Sequence, residues 1–511
     1  MLGNERFTKT HLLIVLALAE GILTAVLAVH FLFPKPYTMS WGDEIDRREN
    51  YLYLDGKTLT QEDLEAIASI KTLRSLSLTN CNVAECNLPK IRFDATVLDE
   101  VDLSGTKGLW DLSFLSSLPA PNLSLAGCEN VSSIAALNWE VLTDLDISNT
   151  AVSDLSPAAH SKLRRFYFAN TEVSDLTPLT TAEDLYEIDG SYSKVTSLDT
   201  LANMKAVSYV TFDGCAITEL PTGLEFRYLN KVSLRNTKIA DFSPLANVGR
   251  LYALNLAENP QIDNLTWLAQ CDYSHLEELN VAGTSLSADD LGWLQECPEM
   301  ERLTLNGIEL GNLDLCSNMP ELRHLSALGC GITDVSGIRR CKKLQTILLG
   351  YNKVENLANL PMPDEDWRSP ILDLSHNGLT SLDGLPAGPY RLLMVHGNKL
   401  AFTKRMLSGV EAYDVVVSWG EGIDQSPLTD SERFSDIYLL DCPPSEFGAV
   451  DRAFYRYQLT RVSNDELLYL LQSDQLSYGM YDDLRGYVAF AEAQGDGSAE
   501  AGEQVAEESE E

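Results

Sequence analysis

The sequence predicts an α/β repeat fold: a curved solenoid with a parallel β-sheet on its concave face, led by an N-terminal transmembrane helix and closed by a small α/β cap. Three observations predict it. A nine-residue apolar pattern recurs about fifteen times between residues 73 and 410, its start points fall mostly 22 residues apart, and an apolar stretch runs from His11 to Phe33.

The pattern is plainest in LTDLDISNT (Leu142–Thr150). LRRFYFANT (Leu163–Thr171), LNKVSLRNT (Leu229–Thr237), LEELNVAGT (Leu276–Thr284) and LQTILLGYN (Leu344–Asn352) follow it in phase. Alternation around the apolar fourth and sixth positions is that of a short strand with one buried face. The following part, as in AVSDLSPAAHSK, carries a proline and is too short for a long helix. It predicts 3₁₀ or irregular turns on the convex side. One unit cannot bury its apolar face alone, so units must stack. A fixed period in the range of roughly 20–29 residues with this spacing is the leucine-rich repeat signature.

The ninth position turns inward, where a small polar side chain can satisfy the loop after the strand. Down the chain it is Cys81, Thr106, Cys128, Thr150, Thr171, Ser193, Cys215, Thr237, Asn259, Thr284, Ile308, Cys330, Asn352, Asn377 and Asn398. Ile308 cannot bond there and predicts a local irregularity. Units reading T-x-[VI]-x-D-[LF]-[ST]-P, at Thr150–Pro157, Thr171–Pro178 and Thr237–Pro244, resemble the internalin-like, 22-residue class of bacterial leucine-rich repeats. The resemblance covers about two thirds of the chain. It implies the solenoid fold and a habit of binding other macromolecules, and no particular ligand.

The chain holds 75 acidic against 38 basic residues, a net charge of −37. This excludes a nucleic-acid binder built on basic patches and a peripheral binder of anionic lipid. Residues 1–11 read as a cytoplasmic N-terminus and 12–33 as a signal anchor, long enough at about 1.5 Å per residue to cross a core of about 30 Å. No A-x-A site marks cleavage. Arg6 and Lys9 precede the stretch and Lys35 follows it, so the positive-inside rule places the repeats outside the cytoplasm. Ala17, Gly21 and Ala25 form a small-residue face suited to a homodimer through this helix. Glu20, costly in lipid, predicts a partner or water access.

Residues 34–50 read as a linker and 51–72 as an N-terminal cap, with a helix starting at Thr60. After Asn398 the phase is lost. Residues 411–490 read as a small α/β cap or appended domain, with strands at 412–419 and 436–441, a helix over 446–455 and a capping box at Ser463. Residues 494–511 carry seven acids and no base, the composition of a disordered tail.

All ten cysteines follow the apolar stretch. Those at ninth positions read as buried structural thiols. Cys271 with Cys297, or Cys316 with Cys341, fall in neighbouring units and are close enough in sequence phase to approach. No C-x-x-C pair, H-E-x-x-H, G-x-S-x-G or phosphate loop is present, so the prediction is no enzyme, no metal and no cofactor.

The third, fifth and seventh residues of each unit point out of the concave sheet. They bring together Asp144, Asp146, Arg165, Tyr167, Glu187 and Asp189, and further on Tyr209, Asp213, Lys231 and Arg235. The tyrosines are amphipathic interface residues flanked by cations. This is the predicted binding face. The function read from it is a membrane-anchored, extracytoplasmic binding protein that recognises a protein or glycan. The alternatives are a cytosol-facing regulatory scaffold subunit and a purely architectural envelope protein.

Overall fold

The computed structural model describes residues 36–204, 206–221, 229–248, 250–362, 369–400, 410–418, 436–440, 458–472, 488, 490 and 491. The predicted membrane helix at 12–33, the helix over 446–455 and the acidic tail at 494–511 lie outside them. No helix among the described residues is long and apolar enough to cross a membrane. The chain divides into two compact units, one ending at Val195 and the other beginning at Thr196.

The first unit opens on a short antiparallel pair, β1 (Tyr37–Thr38) and β2 (Glu44–Ile45). Seven parallel strands follow: β3 (Tyr51–Asp55), β4 (Ser75–Thr79), β5 (Glu100–Asp102), β6 (Asn122–Ser124), β7 (Asp144–Asp146), β8 (Arg165–Tyr167) and β9 (Glu187–Asp189). Their register is unbroken, with Leu145 beside Phe166 and Phe166 beside Ile188. Helix α1 (Gln61–Ala68) buries Leu64, Ile67 and Ala68. Its start is set by Thr60 and Asp63: Thr60 Oγ1 accepts from Asp63 N at 3.2 Å, and Asp63 Oδ2 accepts from Thr60 N at 2.9 Å. The N-terminal cap therefore includes β3, the first strand of the repeat sheet itself.

Each connection follows from its residues. In D-L-S-P the Asp side chain takes the N–H two residues on: Ser156 N donates to Asp154 Oδ1 at 2.8 Å, and Thr177 N to Asp175 Oδ1 at 2.8 Å. The Ser156 and Thr177 hydroxyls, with these backbone bonds, hold both carboxyls below their ordinary range, at the start of the 3₁₀ turns Ser156–Ala158 and Thr177–Thr181. The proline then sits in the first turn, where no N–H is needed. The eighth residue of a unit is left-handed, as at Asn80, Asn149 and Asn170 with φ of 53°, 57° and 53°. Asn bears that conformation better than most side chains. The fourth and sixth residues make the core: Phe166 and Phe168 are fully buried, with ring centroids 5.2 Å apart. Each such side chain contributes about 1.5–3 kcal/mol of burial.

The second unit holds twelve parallel strands. They are β10 (Tyr209–Thr211), β11 (Lys231–Ser233), β12 (Ala253–Asn255), β13 (Glu278–Asn280), β14 (Arg302–Thr304), β15 (His324–Ser326), β16 (Thr346–Leu348), β17 (Ile371–Asp373), β18 (Tyr390–Met394), β19 (Ala412–Ser418), β20 (Asp436–Leu440) and β21 (Gln458–Val462). Of the stretch 411–490, read as a small α/β cap or appended domain, the described strands extend the repeat sheet. Val416 of β19 pairs with Met394 of β18, and Tyr438 of β20 with Val416, so the repeat sheet continues to Val462. Helix α2 (Asn464–Gln472) follows, begun by Ser463: Glu466 N donates to Ser463 Oγ at 3.2 Å and Ser463 N to Glu466 Oε2 at 2.7 Å.

Leu467 and Leu471 of α2, with Val488 and Ala491, pack on Leu348, Ile371, Leu392, Met394 and Val416. The sheet positions are third and fifth residues, which elsewhere face outward. The outward face of β16–β20 is therefore covered by the chain's own C-terminal part. Strands buried on both faces read as continuous apolar runs. VVV in β19 and the wholly buried DIYLL of β20 lost the alternation for that reason.

The ninth residues line the interior. Asn352 shows the pattern: its Nδ2 donates to Ala327 O at 2.7 Å, Leu349 O at 3.0 Å and Gly350 O at 3.1 Å, while its Oδ1 accepts from Cys330 N at 2.9 Å and Ile332 N at 3.0 Å. Thr150 and Thr171 donate to their own sixth-position carbonyls, Ile147 O at 2.6 Å and Phe168 O at 2.7 Å. The cysteines use the carbonyl one unit back, as in Cys128 Sγ to Leu103 O at 3.1 Å. Ile308 does not produce the expected irregularity. The β14–β15 register is intact, Ile308 N donates to Leu305 O at 3.2 Å, and Cys330 Sγ from the next unit donates to the same oxygen at 3.2 Å.

Candidate functional site

The outward face of the first unit is open, and its residues are set by strand register. Asp144, Arg165 and Glu187 stand in the third-position row, and Asp146, Tyr167 and Asp189 in the fifth. The Arg165 guanidinium bonds the Asp144 carboxylate, and the bond raises the Arg165 pKa. Burial raises the Tyr167 pKa, and its link to Glu187 adds to the shift. Arg165 and Tyr167 are thus each committed to a neighbouring strand.

The fifth-position acids have a structural duty. Asp102, Asp146 and Asp189 each take, through Oδ1, the N–H of the seventh residue: Ser104 at 2.9 Å, Ser148 at 2.8 Å and Ser191 at 2.9 Å. Their second oxygens have no hydrogen-bond partner among the described residues. Burial raises the Asp146 carboxyl pKa, and the charges of Asp189 and Asp102 raise it further. The row is a negative field with Arg165 as the cation within it.

Sequence reasoning missed two residues of this face. Tyr51 and Tyr53 of β3 occupy the third and fifth positions beside Ser75 and Ser77, and they are 56% and 66% exposed. Assigned to a cap, they were not aligned with the repeats. The signal was in YLYLD, whose Leu52 and Leu54 match the fourth and sixth positions.

The remaining predicted residues belong to the second unit. Tyr209 is 39% exposed on β10. Asp213 Oδ1 accepts from Arg235 N at 2.8 Å and from Ser233 Oγ at 2.6 Å, while the Arg235 guanidinium turns to Glu258. A groove of about 370 Å³ crosses β10–β14, lined by Thr211, Lys231, Asn255, Glu278, Asn280 and Arg302 among others. Its floor is low because Ala253 holds a third position. Arg302 Nε lies 3.6 Å from Glu278.

Nine cysteines among the described residues are buried and outside any disulfide. Cys271, Cys297 and Cys341 donate to Leu245 O at 3.4 Å, Tyr273 O at 3.7 Å and Cys316 O at 3.5 Å, and are not joined to one another. Burial pushes Cys297 up to about 12 and Cys271 to about 11, values that leave no reactive thiolate at neutral pH. Among the described residues no group of three or more His, Cys, Asp or Glu is placed to hold a metal ion.

No family model matches the chain. A curated human protein, leucine-rich repeat-containing protein 56, is 31% identical over 86 residues, which is 17% of this chain and 15% of that protein. The chain therefore spans about 15% of that relative's length. Among solved structures, a leucine-rich repeat protein of Leptospira interrogans overlaps 79% of this chain and 94% of its own at 16% identity and a TM-score of 0.48. An internalin of Listeria monocytogenes overlaps 85% of this chain and 96% of its own at 16% identity and a TM-score of 0.35. On its period, its parallel register and its ninth-position bonds, the chain has the leucine-rich repeat fold.

Proposed function

We propose that this chain is a binding protein, anchored in a membrane by residues 12–33 with its repeats outside the cytoplasm. It recognises, on the outward face of the first unit, a protein segment rich in lysine or arginine. The observation that carries the reading is the pair of exposed tyrosines, Tyr51 and Tyr53, on the same sheet face as Asp102, Asp146 and Asp189. Large aromatic rings left in water at the edge of a polar face mark an interface. A negative row between tyrosines suits a cation, which gains from the carboxylates and from the ring faces.

The test uses fluorescence anisotropy of a labelled eight-residue lysine–tyrosine peptide, with an acidic peptide of equal length as control. The basic peptide should bind, and Tyr51→Ala with Tyr53→Ala should weaken it about tenfold, or about 1.4 kcal/mol. Equal binding of both peptides, or no effect of the double variant, would overturn the reading. A glycan ligand predicts no basic-peptide binding at all.

One observation favours the cytosol-facing scaffold as a second reading: nine cysteines among the described residues form no disulfide, which suits a reducing compartment. Protease digestion of intact cells separates the two. Cleavage of the repeats from outside supports the anchored, outward protein. Protection until lysis supports the scaffold.

A further inference from the structure

We propose that the open edge of β3 is a strand-addition site: the basic segment of a partner protein pairs with it as an extra strand of the repeat sheet. This rests on the reading above, that the chain binds a lysine- or arginine-rich segment at Tyr51 and Tyr53. Ser75 N donates to Asn50 O at 3.1 Å and Gly56 N to Thr79 O at 2.9 Å, so residues 50, 52, 54 and 56 turn their backbone groups to β4. Backbone direction alternates along a strand. The N–H and C=O groups of Tyr51, Tyr53 and Asp55 therefore point away from β4. Among the described residues β4 is the one strand paired with β3, and none of these outward backbone groups has a hydrogen-bond partner. A row of unpaired donors and acceptors is a template for an incoming strand.

The two faces of the edge set the chemistry of the occupant. On the inner face Leu54 is only partly buried, whereas the sixth-position residues of the next strands, Leu78, Leu103 and Leu125, are fully buried. An apolar residue one strand further out completes that layer, as each repeat does for its neighbour. On the outward face the added strand places its side chains about 4.8 Å from Tyr51 and Tyr53, within reach of both exposed rings. A lysine or arginine there lays its stem and its charge on the ring faces. Asp55 closes the edge as an exposed acid. Asn80 Nδ2 and Thr79 Oγ1 donate to it at 2.9 and 3.0 Å and hold its carboxyl below the ordinary range. The occupant is thus an extended segment in which basic residues alternate with apolar or aromatic ones. A second copy of this chain fits poorly, because a net charge of −37 repels like molecules.

The probe is an octapeptide of alternating lysine and tyrosine, added to the purified full chain. Hydrogen exchange, read residue by residue by fragment mass spectrometry, should show the Tyr53 and Asp55 amides slowed about tenfold or more at saturation. The Leu52 and Leu54 amides, already paired with β4, should not change. N-methylation of one alternate set of peptide amides should weaken binding about tenfold or more, and of the other set little, since only one set bonds the edge. Which set it is reports the direction of the added strand. Binding that leaves the Tyr53 and Asp55 amides unslowed, or that weakens alike with either methylated set, would overturn strand addition and leave the basic-segment reading standing. No binding at all would overturn both. Tyr53 and Asp55 amides already slow without peptide would mean that this chain or a second copy of it fills the edge, and would overturn the assignment as well.

Discussion

Asn352 closes five backbone bonds from one side chain, and Thr150 closes one. Removing a partner leaves buried amides unsatisfied at about 1–3 kcal/mol each. Asn352→Ala should therefore speed hydrogen exchange at the Cys330 and Ile332 amides by two orders of magnitude or more. Thr150→Val, which orphans a single carbonyl, should change its surroundings by about tenfold or less. Residue identity also sets pH behaviour. Burial raises the Asp373 carboxyl to about 6, although Ser375 N donates to it at 2.8 Å. A folded-state pKa raised above the ordinary 3.8 means that the native form holds its proton more tightly. Asp373 thus costs stability progressively as pH rises from about 4 to 6, by at most about 3 kcal/mol. His396 works the other way: burial lowers it to about 3, so its protonation costs stability as pH falls below about 6.5. Asp373→Asn should raise the melting temperature at pH 7.5, leave it unchanged near pH 4, and steepen the acid-side loss due to His396. Thermal melts of both chains across that range check the sign. Of this scale, the ninth-position row was legible from spacing alone. The eighth-position Asn and Gly residues were an equally readable mark of left-handed backbone. Asp373 could not be read, because nothing in DLSHN says that another segment lies over it.

At the scale of elements, α2 decides which parts of the sheet face remain open. Its apolar residues sit at Leu467 and Leu471, four apart on one side, while Tyr469 is 58% exposed. Truncating a buried leucine costs about 2–5 kcal/mol. Leu471→Asp should therefore detach α2, expose the strip formed by Ile371, Met394 and Val416, and raise binding of a hydrophobic dye. Circular dichroism should keep the strand signal of the repeats, since the fourth- and sixth-position core does not touch α2. Loss of the whole sheet signal would mean that the cover is part of the folding core. The short strands and 3₁₀ turns followed from D-[LF]-[ST]-P and the 22-residue spacing. Strands at 412–419 and 436–441 were expected as well, but out of phase with the repeats, because cover by α2 replaced alternation with continuous apolar runs.

At the scale of the molecule, stacked repeats exchange stability mainly with their neighbours. The exchange caused by Asn352→Ala should therefore fade within a few units and leave the amides around Thr150 unchanged. Uniform acceleration throughout would contradict the stacked arrangement. Exposed pairs such as Arg74–Asp99 at 3.2 Å and Lys343–Glu321 are worth about 0–1 kcal/mol each. The net charge of −37 therefore governs solubility and the choice of partner more than the fold.

The sequence by itself determined the repeat period, the strand register and the inward ninth-position row. Each depends on residues close in the chain and on a periodicity that stacking must respect. Tertiary structure decided which outward positions are open and which are covered by the C-terminal part of the chain. Those outcomes depend on contacts between segments more than a hundred residues apart, as between Leu328 and Ala491, and no local spacing encodes them.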